Sequence, residues 1–134
     1  MKTDLTGNYI INAEQPLAGT TIKYQIHGQL TVSSTHHVTG QMIFDLPKLK
    51  EDVADSSEIM NALQHPPNKK ITLMVHGQVI EDYLLIQYSP LDASIMQLGC
   101  CMLMISDRSL VGKFIGYSPV NKQIITGELE FVKV

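Results

Sequence analysis

Between Thr20 and Val32 the chain alternates without a break. Ile22, Tyr24, Ile26, Leu30 and Val32 fall on one side, and Thr21, Lys23, Gln25, His27, Gln29 and Thr31 on the other. Strict period two over that length predicts a half-buried antiparallel strand. Ser33-Ser34-Thr35 turns the chain, and His37 to Asp45 returns as the hairpin partner. Ahead of this pair, Gly7 to Asn12 reads as an opening strand ended by Pro16 and Gly19. Strands resume at Ile71, where Ile71, Leu73 and Val75 alternate with Thr72, Met74 and His76. Val79 to Tyr88 and Ser94 to Ser106 are denser in apolar residues, as expected of strands covered on both sides, and Leu110 to Tyr117 and Gln123 to Val132 follow. Reading His76-Gly77 as a hairpin turn rather than a kink gives eight strands, because one strand from Ile71 to Tyr88 would be unusually long.

Four strings say nearly the same thing inside these strands: Ile26-His27-Gly28-Gln29-Leu30, Val38-Thr39-Gly40-Gln41-Met42, Val75-His76-Gly77-Gln78-Val79 and Ile125-Thr126-Gly127-Glu128-Leu129. Glycine weakens a strand interior, so it marks a bend, a bulge or a close approach. Recurring in successive strands, it lets a sheet curl until its edges meet. The expectation is an all-β, eight-stranded antiparallel up-and-down barrel of calycin type, forming one domain over residues 1–134. The rhythm breaks only at 47–70, which opens with Pro47, holds a capping box at Asp55 and Glu58, and spaces Ile59, Ala62 and Leu63 as a helix does. This predicts one short helix in the connection between the third and fourth strands.

Two turns are also written alike, Tyr88-Ser89-Pro90-Leu91-Asp92 and Tyr117-Ser118-Pro119-Val120-Asn121. Proline presets the first corner, and Asp or Asn tolerates the left-handed conformation after it. In a meander, these two turns share one end with the 47–70 insertion, while Ser33-Ser34-Thr35 and Ser106-Asp107-Arg108 close the other. One end therefore resembles a mouth with a lid, and eight strands enclose a space that side chains fill or one small ligand occupies.

Composition narrows the function classes. The apolar fraction of 44% and the charged fraction of 17% are globular values, and a net charge of -3 provides no basic field for a DNA or RNA polymer. The longest apolar stretch, Leu98 to Ile105, is far short of the ~20 residues of a membrane span. Met1 to Thr6 turns polar at once and has no signal-peptide core. Cys100 and Cys101 are neighbours, point to opposite faces of a strand and match no zinc spacing, which reads as two thiols in a reducing cytoplasm. The five histidines make no metal-type spacing. There is no Gly-x-Ser-x-Gly elbow, phosphate-cradling loop or carboxylate dyad, so the reading is non-enzymatic, without cofactor or metal. The candidate ligand residues are Tyr9, Tyr24, Tyr83, Tyr117 and Lys113. A tyrosine offers a flat apolar ring and one hydroxyl, suited to stacking on a base, and Lys113 is placed to meet an anion near the mouth.

Leu5-Thr6-Gly7-Asn8-Tyr9, the strand around Gly28, Gly112-Lys113-Phe114-Ile115-Gly116-Tyr117 and Ile125-Thr126-Gly127-Glu128-Leu129 resemble lipocalin- and streptavidin-like barrels. More narrowly, the pattern is similar to the cyclic-oligonucleotide-sensing barrel of membrane-anchored anti-phage effectors of the CBASS type. That resemblance implies antiviral defence, a bound cyclic nucleotide, and dimerisation or oligomerisation as the output. Without transmembrane helices, such a barrel would act as a sensor subunit or a sink for the messenger. Two other readings stand beside it: a lipocalin-like carrier of an apolar ligand, suited by the stripe of Ile22, Ile26, Leu30 and Val32, and a ligand-free homodimeric module joined through the Leu98–Ile105 strand.

Overall fold

The computed structural model describes residues 4–17, 19–45, 70–91, 98–118 and 123–134. Eight strands follow one another: β1 (Gly7–Leu17), β2 (Thr20–Val32), β3 (His37–Asp45), β4 (Lys70–Ile80), β5 (Tyr83–Pro90), β6 (Gly99–Ile105), β7 (Ser109–Ser118) and β8 (Gln123–Lys133). Each pairs antiparallel with its neighbours in sequence, and β8 returns to β1, closing the barrel. The helix expected within 47–70 lies outside the described residues.

Alternation decides what faces inward. Tyr9, Ile11 and Ala13 of β1, Leu84 and Ile86 of β5, Cys101 and Leu103 of β6, and Phe131 of β8 are buried in one cluster. The opposite face of β2 exposes Lys23, Gln25, His27, Gln29 and Thr31, side chains that hydrocarbon would not accept. Among the described residues no helix is long and apolar enough to cross a membrane.

The glycine strings lie inside strands, including the one around Gly77 that was expected to turn, and on the inward parity. At Gly40 a Cβ would overlap the carbonyl oxygen of Gln29, and at Gly77 that of Leu85. Only a residue without a side chain lets neighbouring strands come that close, which bends the sheet toward closure.

Several boundaries differ from the sequence expectation. His76-Gly77 is not a turn: β4 runs through it to Ile80, and the reversal falls at Glu81-Asp82, with Ile80 paired to Tyr83. Glu81 supplies the left-handed conformation at φ 53, where a glycine or asparagine is the usual residue. The opening strand does not stop at Asn12 but continues through Pro16 to Leu17. The β1–β8 ladder ends at Glu14, so Pro16 stands where β1 pairs on one side only, a place a sheet tolerates proline. β5 likewise runs through Pro90, so Tyr88-Ser89-Pro90 is strand rather than turn, while Pro119 to Asn121 of the second Tyr-Ser-Pro sequence lie outside the described residues. β5 and β6 are not covered on both sides either: outside β6, Met102 and Met104 are each 54% exposed.

The connections after β1, β3, β5 and β7 leave the barrel at one end, hereafter the mouth end. The turns at 33–36, 81–82 and 106–108 occupy the other. This turn end is capped by the segment before β1. Leu5 is buried there, the Tyr9 hydroxyl donates to its carbonyl at 2.5 Å, the Val32 amide donates to Thr6 Oγ1 at 3.0 Å, and Lys133 Nζ donates to the Asp4 carbonyl at 2.8 Å.

Candidate functional site

The five residues singled out from the sequence do not gather in one place. Tyr9 faces inward but near the turn end, where its ring meets Phe131 edge-on, with centroids 5.8 Å apart. Burial, reinforced by the Asp4 carboxylate, pushes its phenol above the ordinary value, so it acts as a neutral donor to Leu5. Tyr83 opens β5 beside the Glu81-Asp82 turn and points outward, 47% exposed. Tyr117 stands near the mouth end on the outward parity, opposite the exposed Ile124. Tyr24 pairs with Ala13 in the mouth-end half of β2, and its side chain lies outside the described residues. Lys113 is outward and exposed in the middle of β7.

Tyr88, the other half of the repeated Tyr-Ser-Pro motif, is the one that turns inward. Its hydroxyl lies where a Cβ on Gly99 or Gly116 would stand, so the missing side chains of β6 and β7 make room for the ring. Parity explains the difference between the two motifs: Tyr88 follows Leu84 and Ile86 at intervals of two, whereas Tyr117 is out of step with Phe114 and Gly116.

Of the five, Lys113 alone lines a described cavity. The β1–β8 ladder ends with Glu14 opposite Glu128, while β1 goes on with β2 and β8 starts with β7. The strands part there, toward the mouth end. A cavity of about 290 Å³ occupies the seam, with Glu14, Gln15, Thr21, Lys113, Thr126 and Glu128 among its walls. The last rung explains the local charge order. Lys23 pairs with Glu14, Glu14 with Glu128, and Glu128 with Lys113, so the sequence of charges across four strands is plus, minus, minus, plus. Facing carboxylates repel, and a lysine beside each offsets the repulsion by roughly 0.2–1 kcal/mol per cross-strand pair. Behind them Gln15, on the inward parity, is the buried polar side chain among the described residues.

The arrangement can do three things for a ligand. Lys113 donates a charged hydrogen bond, the two carboxylates accept, and the hydroxyls of Thr21 and Thr126 do either. Sequence reading missed Glu14 and Gln15 because it treated Ala13 to Gly19 as a connection, and it placed Thr21 on the polar face of the second strand without singling it out. The signal was nevertheless present: Ile11, Ala13 and Gln15 carry the inward parity of Tyr9 onward, and Pro16 hid it. Thr126, Gly127 and Glu128 belong to one of the recurring strings, which was noticed only for its glycine.

Compared with protein-family models, with curated proteins and with solved structures, the chain matches none of them.

Proposed function

We propose that this chain is a non-enzymatic, cytoplasmic barrel that binds a small polar molecule at the seam between β1 and β8, with a cyclic nucleotide as the ligand class. The observation that carries the reading is the cavity beside Lys113, where an ammonium, two carboxylates and two hydroxyls converge on about 290 Å³. A nucleotide offers the matching groups: a phosphate for Lys113, and ribose hydroxyls and base edges for the acceptors. The volume is at the small end of ligand clefts, ~300–1,000 Å³, room for one nucleotide unit. The choice of a cyclic nucleotide rests on the resemblance to anti-phage sensor barrels. The apolar-carrier reading draws less support, since the described interior is occupied by its own side chains and the seam is lined with polar groups.

Ligand binding to the native state alone raises the melting temperature. Cyclic mono- and dinucleotides at about 100 μM, well above the Kd a sensor needs, should shift it upward by a few degrees. Lys113→Ala should abolish most of that shift, while the unliganded melting temperature falls by no more than the few degrees that one lost cross-strand pair with Glu128 explains. A flat response across the panel ends the nucleotide reading. A fatty acid in the native mass spectrum of freshly purified protein would move the function to an apolar carrier.

A second reading has its own observation. The outward side chains of β5, β6 and β7 form an apolar face, with Tyr83, Met104 and Val111 in one cross-strand row and Leu85 beside Met102 in the next. Such a face suits a homodimeric module, alone or coupled to the ligand.

A further inference from the structure

The turn end of the barrel holds a second, larger hollow that the seam reading does not use. Its volume is about 420 Å³, within the range of small-molecule clefts, and all three tight turns and the capping segment contribute to it. Its floor is apolar: Leu5 is buried, and Val32, Val79 and Ile105 pack on the core while lining the cavity. Among the described residues, Leu5 of the capping segment is the apolar side chain that joins them in the lining. Among the described residues its charged rim is acidic: Asp4, Glu81, Asp82 and Asp107 line it, with His36, and no described lysine or arginine does. Lys133 Nζ donates to the Asp4 carbonyl from the β8 side, and its side chain is not part of the lining.

A concave apolar floor sets the existence of a site, and the charge above it sets the class of guest. An anion is repelled from this rim. A neutral apolar molecule gains only the floor. A small organic cation with a short hydrocarbon body satisfies both, its methylenes on Val32, Val79 and Ile105 and its ammonium among carboxylates, where charge-assisted hydrogen bonds are strongest. We propose that the turn-end cavity is a binding site for an alkyl ammonium ion of mono- or diamine type, separate from the seam.

The floor distinguishes this site from nonspecific attraction to acid. Cadaverine titrated into the ¹⁵N-labelled full chain at constant ionic strength should give saturable amide shifts confined to 4–5, 32–36, 79–82 and 105–107. The combined change Glu81→Gln and Asp107→Asn should weaken the affinity at least tenfold. Glu130→Gln, which removes the same kind of charge from the outer face of β8, should change it less than twofold. Shifts that fail to saturate, that map to the seam, or that weaken equally in both variants would overturn the assignment. Sodium chloride giving the same shifts would overturn it as well. A cyclic-nucleotide response at Lys113 can survive or fail independently, so the two sites are judged separately.

Discussion

At the scale of single residues, two glycines separate what close approach requires from what a turn requires. Gly77 lies in mid-strand, where a Cβ would overlap the Leu85 carbonyl oxygen on the adjacent strand. Backbone cannot move aside as a flexible side chain can, so Gly77→Ala must push β4 and β5 apart. The cost is about 3 kcal/mol, the upper part of the range for overpacking. Gly19 has φ +79 and no described neighbour within 4 Å, so Gly19→Ala costs only the left-handed backbone, about 1 kcal/mol. Urea denaturation of the two variants should show that order. Equal losses would mean that barrel closure does not depend on contact at Gly77. The same contrast explains why the recurring strings are informative: their glycines are placed by a neighbouring strand, not by a local turn.

At the scale of one element, β6 puts its two cysteines in unlike surroundings. Cys101 faces the core, and burial, with Cys100 adding to it, pushes its thiol up from 9.0 to about 12, whereas Cys100 is half-buried on the outside. Ellman's reagent at pH 8 should therefore label one thiol in the native protein and two in urea. The folded state keeps the Cys101 proton after the unfolded chain has lost it. Its contribution is thus complete below pH 9 and is lost between pH 9 and about 12, at up to about 1.4 kcal/mol per pH unit. Tyr9 adds a loss of the same sign above pH 10. Cys101→Val should flatten the fall, and an unchanged slope would remove burial as its cause. Elements of this kind were legible in the sequence wherever one face is polar: β2 alternates cleanly, and its limits were read correctly. β4 and β5 were harder, since Val79, Ile80, Leu84, Leu85 and Ile86 are apolar on both faces and hide the parity. The Glu81-Asp82 reversal also lacks the glycine or asparagine that announces a hairpin. The seam was not legible, because it arises where β1 outruns β8, a register that no local pattern encodes.

At the scale of the whole molecule, the outer surface is divided. Around β2 it is amide, hydroxyl and charge, while Ile80, Tyr83, Met104 and Val111 make one continuous row across β4 to β7. Scattered apolar residues are ordinary on a surface, but contiguous patches above a few hundred Å² mark interfaces. A two-fold contact placing β6 on β6 would set methionine against methionine, side chains flexible enough to fill an imperfect fit, with Tyr83 of one copy beside Val111 of the other. Sedimentation velocity at about 50 μM should then find a dimer. Met104→Glu should return it to monomer with the strand content of the wild type by circular dichroism, since that side chain is 54% exposed in one barrel. Gln29→Glu, the same charge added to the polar side, should leave the dimer intact. A ligand at the proposed seam site would contact β7 through Lys113, and β7 also carries Val111 and Ile115 of the apolar face, so binding and association would share one strand. A monomer at that concentration both with and without nucleotide would leave the apolar face without a self-association role, and the barrel would act as a binder alone.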